Sequence, residues 1–356
     1  LLNPSLSPIT LELSLRPWCY GMVLDLLNDN QEIRIVDGVL CVDLKPLESK
    51  ILLQVEKDSF LRQAGILMHP TSLPSGHGIG DLGRESYQFI DFLYKNKQKL
   101  WQILPLNPVG YGNSPYQCLS AFAGNHLLIS LDELAHEGLL TKEDIKKNPE
   151  FDQDRVEFEK VKEYKDKLLR MAFANFKKHA PSHEYKKFVI DHSFWLTDYS
   201  LFMALKRNFN EKSWHLWPRE IAMREKKTME KYRLLLDEEI SYHKFLQFIF
   251  TNQWKRVKQY AGKYNINIIG DIPIFIAHDS SDVWANQQLF DLDEEGNCRT
   301  VAGVPPDYFS ATGQLWGNPH YKWEQMAKDD YQWWTQRLQQ LLKQVDYVRV
   351  DHFRGF

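Results

Sequence analysis

Long apolar runs, paired cysteines and a surplus of either charge are all missing from this 356-residue sequence. No stretch approaches the ~18 consecutive apolar residues that cross a bilayer, and no basic-then-apolar leader with a cleavage site is seen, so no membrane segment is expected. Lysine plus arginine number 44 against 47 aspartates and glutamates, a net charge of −3. A nucleic-acid partner is therefore not expected, because phosphate neutralisation calls for a cationic excess. The four cysteines (Cys19, Cys41, Cys118, Cys298) are far apart and form no C-x-x-C pair. That fits reduced thiols in a cytoplasmic protein better than a disulfide frame or a zinc site. The 12 histidines show no H-E-x-x-H or comparable ligand spacing, so no metal is expected. With 43% hydrophobic and 26% charged residues, disorder is excluded as well.

Aromatic side chains, by contrast, are plentiful: 13% of the residues, including 11 tryptophans. Rings with a polar edge stack on sugars, although burial in a core also accounts for most of them. The length suggests two domains, or one barrel-sized domain with an appendage. Residues 1–57 read as a small β appendage. Its predicted strands (9–15, 32–36, 39–44, 51–55) are separated by Asn28-Asp29-Asn30 and by Asp37-Gly38, a two-residue hairpin signal.

In residues 58–356 the pattern changes to strand, loop, helix. Buried strands are predicted at 64–68, 100–104, 265–269 and 347–350, and helices at 85–97 and 331–345 among others. Strands alternating with helices point to α/β architecture with a parallel sheet covered by helices. The charged, aromatic stretch 142–263 has helical periodicity and is read as an inserted helical subdomain. In such folds the loops after the strands form the working face. Two of them, 105–126 and 302–319, are long and rich in aromatics.

Asp346-Tyr-Val-Arg-Val-Asp-His-Phe-Arg-Gly-Phe356 is the most informative segment. On a strand, Tyr347, Arg349 and Asp351 face one way while Val348 and Val350 face the other, where they are expected to pack under helices. A buried Arg349–Asp351 pair keeps the carboxylate ionised, as a carboxylate nucleophile requires. A structural ion pair capping a strand end is the alternative. In Ile268-Ile-Gly-Asp-Ile-Pro-Ile274, Asp271 sits where strand meets loop. There it can bind a sugar hydroxyl, support a catalytic arginine, or merely satisfy loop amides.

Two motifs look like more than they are. Gly78-Ile-Gly80-Asp-Leu-Gly83 spells G-x-G-x-x-G, but Pro70 and Pro74 intervene after the strand and no acidic residue follows to hold a ribose. Asp291-Leu-Asp293-Glu-Glu-Gly296 imitates a calcium loop, yet its twelfth position is Ala302. It reads as a hairpin turn.

Five segments, in order, resemble the amylomaltase (4-α-glucanotransferase, disproportionating enzyme) family of the α-amylase clan. They are Ala64-Gly-Ile-Leu-Met-His-Pro-Thr-Ser-Leu-Pro74, Gly112-Asn-Ser-Pro-Tyr116, Gly270-Asp-Ile-Pro-Ile274, the run from Gly303-Val-Pro-Pro-Asp-Tyr-Phe to Gln-Leu-Trp-Gly-Asn-Pro319, and Arg349-Val-Asp-His-Phe-Arg-Gly355. The resemblance covers residues ~62–356. It implies an interrupted TIM (β/α)8 barrel, of which this chain holds the first half, working on α-1,4-glucans and maltooligosaccharides by a retaining mechanism with no cofactor. Asp351 matches the nucleophile and Arg349 the arginine that orients it. Asp271, Ser114, Tyr116, Asp307, Tyr308, Phe309, Trp316, Asn318 and His352 match substrate-binding positions.

In that family the acid/base glutamate and a further aspartate follow the nucleophile on later strands, so they are expected beyond Phe356. The chain opens on Leu1 rather than methionine and is expected to be an excerpt of a longer polypeptide, inactive alone. The first 55 residues more distantly resemble the last strands of the β-sandwich that ends many α-amylases, which implies an amylase-type domain fused ahead of the barrel. The expected function is transfer of α-1,4-glucan segments in starch, glycogen or maltodextrin metabolism. An α-amylase-type hydrolase and a non-catalytic glucan-binding fragment are the alternatives.

Overall fold

The computed structural model describes residues 1, 3–14, 21–25, 27–28, 31–36, 39–50, 52–55, 62–308 and 310–356. The chain divides into two compact units, Leu1–Gln63 and Ala64–Phe356.

The first unit is an antiparallel sheet of β1 (Ile9–Ser14), β2 (Gly21–Asp25), β3 (Gln31–Val36), β4 (Val39–Leu44) and β5 (Leu52–Val55), in the order β1-β4-β3-β2-β5. Leu40, Val42 and Leu44 alternate with outward Cys41 and Asp43 and form a small core with Val23, as the two-residue side-chain period demands. Val36 pairs with Val39 across the expected hairpin; Asp37 and Gly38 themselves, like Cys19, lie outside the described residues. β2 was not expected. Met22, Val23 and Leu24 form an unbroken apolar run, and the alternation that betrays a half-exposed strand is absent from it.

The second unit contains a parallel sheet of β6 (Gly65–Leu67), β7 (Leu100–Gln102), β8 (Asn267–Ile272) and, past the hairpin described below, β11 (Tyr347–Val350), in the order β11-β8-β7-β6. Each strand pairs with the next one in sequence, so the sheet grows in one direction, without the reversal that marks a doubly wound sheet. Between β6 and β7 runs α1 (Arg84–Lys95), which buries Ser86, Ile90 and Leu93 at helical spacing.

Helices α2 (Phe158–Phe176), α3 (Ser193–Asn208) and α4 (Asp237–Lys263) lie between β7 and β8. α4 packs against both α1 and β8, so it also serves as the crossover helix that returns the chain to the sheet. Its inner row Ile240, His243, Gln247, Phe250, Trp254, Val257 and Ala261 alternates in steps of three and four.

Two glutamines of that helix imitate a sheet ladder. Gln247 accepts from the Gly124 amide (2.7 Å) and donates to its carbonyl (2.8 Å). Gln253 does the same with Ser130 (2.7 and 3.2 Å). Between them, the buried Lys165 ammonium of α2 donates to the carbonyls of Leu127 and Ile129. Gly124 is glycine for a reason: a Cβ there would fall 2.0 Å from the Phe250 ring.

After β8 come the short helix α5 (Ser281–Ala285), the antiparallel pair β9 (Val301–Val304) and β10 (Gln314–Pro319), and α6 (Gln332–Gln344). The segment 302–319, expected as a long loop, is thus largely a hairpin. Its prolines and glycines hid the strand pattern, and Gly313, with φ +75°, makes the turn. The Asp291–Gly296 segment does close a turn, with Leu292 bridged to Cys298 and Gly296 at φ +85°.

β11 departs from expectation. Val350 is exposed and Val348 only half-buried. Among the described residues the strand lies at the sheet's edge with β8 as its one neighbour, so the valines do not pack fully beneath helices.

Candidate active site

In the parallel register Arg349 lies directly opposite Asp271, so both side chains leave the same face at the same level. Arg349 donates from Nη1 to Asp271 Oδ2 (2.7 Å) and from Nη2 to Asp351 Oδ1 (2.6 Å). One guanidinium therefore bridges two carboxylates. The pair with Asp351 was expected to be buried and is not: the side chains are 44% and 36% exposed, whereas that of Asp271 is 1% exposed. The edge position of β11 explains the first pair of values, and the central position of β8 explains the last.

Asp271 has one further partner. Tyr116 donates its hydroxyl to the same Oδ2 at 2.7 Å, which leaves Oδ1 buried with no partner among the described residues. Burial pushes the Asp271 carboxyl above its ordinary range, while the bonds from Tyr116 and Arg349 pull it the other way. Burial and the neighbouring Asp271 likewise raise the Tyr116 phenol, so Tyr116 stays a donor at neutral pH.

Tyr116 reaches Asp271 because the loop 105–126 folds back on itself. Gly110 donates to Gln117 (2.7 Å), Val109 bridges Cys118, and Gly112 and Asn113 turn the chain through φ values of 66° and 54°. Ser114 Oγ accepts from the Tyr116 amide (3.3 Å). Gln117 then ties the loop to β10, donating to Trp316 O and to the buried Asn318 Oδ1, both at 3.1 Å.

The Trp316 ring stands perpendicular to that of His352, 5.0 Å away, and tilted against Phe275 at 6.3 Å. Asp307 and Tyr308 lie in the β9–β10 turn. Asp307 Oδ1 accepts from the Ser310 amide, and Tyr308 is fully exposed. Phe309 lies outside the described residues.

The structure thus brings Tyr116, Asp271, Arg349 and Asp351 into one hydrogen-bonded cluster, with His352, Trp316 and Asn318 beside it. Ser114 acts one step back, through the Tyr116 amide, and the Asp307–Tyr308 turn closes on Ser310. Gln117 and Phe275 were missed, since nothing in their local pattern distinguishes them. A cleft of about 800 Å³ opens beside the cluster. Tyr111, Gln117, Trp316, Arg170, Tyr242 and His243 are among the residues that line it. Among the described residues no group of three or more His, Cys, Asp or Glu side chains is placed to hold a metal ion.

Comparison with known proteins gives the arrangement its context. A family profile described as 4-alpha-glucanotransferase matches residues 68–356. A 4-alpha-glucanotransferase of Synechocystis sp. is 51% identical over 299 residues, covering 83% of this chain and 59% of that protein. A crystal structure of the amylomaltase from Streptococcus agalactiae in complex with acarbose superposes with a TM-score of 0.81 at 42% identity, covering 83% of this chain and 60% of that one. The amylomaltase of Corynebacterium glutamicum superposes with a TM-score of 0.62 at 16% identity, covering 99% of this chain and 56% of that one, a likeness of fold. The chain spans about 60% of the length of the relatives it matches.

Proposed function

Because this chain belongs to the 4-alpha-glucanotransferase family, we propose that the protein moves 4-α-glucanosyl segments between α-1,4-glucans by double displacement. The observation that carries this reading is the Arg349 bridge between an exposed carboxylate and a buried one with a vacant oxygen. Asp351, held by Arg349, attacks the anomeric carbon and breaks its bond to the glycosidic oxygen, which departs as the free hydroxyl of the released chain on taking a proton from the acid/base carboxyl that the resemblance places beyond Phe356. Asp271 binds the donor sugar. Its Oδ1 is a buried acceptor, and an orphaned acceptor costs about 1–3 kcal/mol, which a sugar hydroxyl recovers on binding.

The covalent glucosyl–aspartate is then attacked by a hydroxyl of a second chain. Transfer prevails over hydrolysis where aromatic walls exclude loose water and hold the acceptor; Trp316 and His352, with Tyr308 from the β9–β10 turn, supply such walls. Ser114 and Tyr116 shape the loop, and Asp307 and Asn318 complete the sugar contacts. A retaining reaction also needs an acid/base carboxyl ~5 Å from the nucleophile. That role is assigned to neither Asp271 nor Asp351, since Arg349 donates to both. No cofactor enters the scheme.

The four-stranded sheet is read as the first half of an interrupted (β/α)8 barrel, its direction of growth being the support. Free thiols at Cys41, Cys118 and Cys298 favour the cytoplasm. No described helix is long and apolar enough to cross a membrane. The N-terminal sheet is read as the tail of a fused amylase-type domain. The alignment with the Corynebacterium amylomaltase, which extends over that sheet, favours a second reading, a β domain native to the transferase. The coding sequence upstream of Leu1 decides between them by the presence or absence of an amylase-type barrel.

Maltotriose tests the central proposal. Transfer by the full-length protein yields glucose and longer maltooligosaccharides at a constant number of reducing ends. A rise in reducing ends matching bond cleavage would make the protein a hydrolase, and no turnover at all would leave the glucan-binding reading.

A further inference from the structure

Arg337 carries a full charge into the interior of the second unit. It is 3% exposed, and among the described residues no carboxylate lies within ion-pair distance of it. The buried Asp282 carboxyl attracts it from further away, and burying a charge is costly unless its donors are bonded, so the sites that take its protons matter. Nη2 donates to Pro273 O at 2.6 Å and Nη1 to Ile274 O at 3.4 Å. Both carbonyls belong to the turn that leaves β8 after Ile272, two and three residues past Asp271.

Two other features converge on that turn. Tyr321 donates its hydroxyl to Ile274 O at 2.7 Å. The guanidinium stands over the ring of Trp334, 4.7 Å from its centre, and 5.5 Å from that of Trp333, which returns part of the desolvation cost. Pro273 and Ile274 are otherwise a tight exit from a central strand, with carbonyls that face inward and need donors. Arg337 and Asp271 line the same small cavity under the sheet.

We propose that Arg337 is a positioning residue for Asp271: by gripping the carbonyls of residues 273 and 274 from beneath, it fixes the angle at which β8 presents the Asp271 carboxylate to Tyr116, Arg349 and the donor sugar. Its fork geometry suits the task, because two neighbouring carbonyls are held at once, which an ammonium does poorly. The inference rests on the transferase reading and adds to it a residue that never meets the sugar.

A double-mutant cycle in the full-length protein tests it, with maltotriose disproportionation as readout. Arg337→Met keeps the bulk and removes the donors; a displacement of about 1 Å at a reacting geometry costs about 10²-fold, and this loss is expected in kcat with KM within threefold. Arg337→Lys is expected to recover only part of it. Added to Asp271→Asn, Arg337→Met is expected to cause no further loss, because it acts through the group already removed.

Additive losses, or a wild-type kcat in Arg337→Met, would overturn the inference while leaving the transferase reading intact. An inactive wild-type protein would remove that reading and the inference with it. Should Arg337→Met fail to fold, Tyr321→Phe, which drops one donor to the same turn, takes its place: a lower kcat that disappears in the Asp271→Asn background supports the inference, and an unchanged kcat sinks it.

Discussion

The two carboxylates that share Arg349 live in different surroundings. Asp271 is enclosed, meets Tyr116 as well as the arginine, and stands near the end of β8, ahead of a turn whose carbonyls accept from Arg337 and Tyr321. Asp351 is open to solvent, and Arg349 is its hydrogen-bond partner among the described residues. The contrast is one of position: Asp271 lies on the central strand β8 and its carboxylate accepts two hydrogen bonds, whereas Asp351 follows the edge strand β11 and its carboxylate accepts one.

Asp351→Asn breaks the open side and should have the largest effect, a fall in turnover on the order of 10⁴–10⁶-fold as for loss of other enzymic nucleophiles. Affinity for a long maltooligosaccharide, measured by calorimetry, should stay near that of the wild type.

Tyr116→Phe weakens the enclosed side by one hydrogen bond to a charged acceptor, about 1.5–3 kcal/mol or roughly 10–100-fold in kcat/KM. It also carries a sign. The Tyr116 bond favours the charged form of Asp271 and burial opposes it, so its loss raises that carboxyl further. The acid limb of the pH–rate profile should move to higher pH.

Asp282 sharpens the comparison from beneath. Its buried carboxyl accepts from the Ala121 amide (2.8 Å) in the loop 105–126, and burial pushes it up to about 6 from 3.8. The folded protein then binds more protons than the unfolded chain between about pH 4 and pH 6. Stability should decline as pH rises through that window and level off above it, by about 2–3 kcal/mol. In Asp282→Asn, chemical denaturation across the same window should show that slope removed. The smallest effect belongs to the exposed β9–β10 turn. Tyr308→Ala should change stability by less than about 0.5 kcal/mol, and a raised KM for long glucans with unchanged kcat for maltotriose is the expected kinetic trace.

Much of this was legible in the order of residues, and the reason differs by element. The segment 347–350 was readable as a strand because alternation and β-branching coincide there, and the structure has Tyr347–Val350. The cluster of Asp271, Arg349 and Asp351 could be anticipated because ends of parallel strands converge. What the sequence does not encode locally is position within the sheet: Arg349 and Asp351 alternate as expected, and among the described strands β11 pairs with β8 alone. Arg337 lay hidden in an amphipathic helix, where its spacing of four and three from Trp333 and Trp334 was the one clue that it sits on the buried face. Gln117 carried no clue, since its partners are some 200 residues away in sequence.

The glutamine ladder sets a timetable for biosynthesis. The segment 124–130, the far anchor of the loop that bears Tyr116, takes its partners from residues 123 positions later. At a translation rate of about 5–20 residues per second, that anchor stays open for roughly 6–25 s after it emerges. High contact order of this kind slows folding, so the loop 105–126 of a nascent chain acquires its anchor only once the ribosome has delivered the long helix.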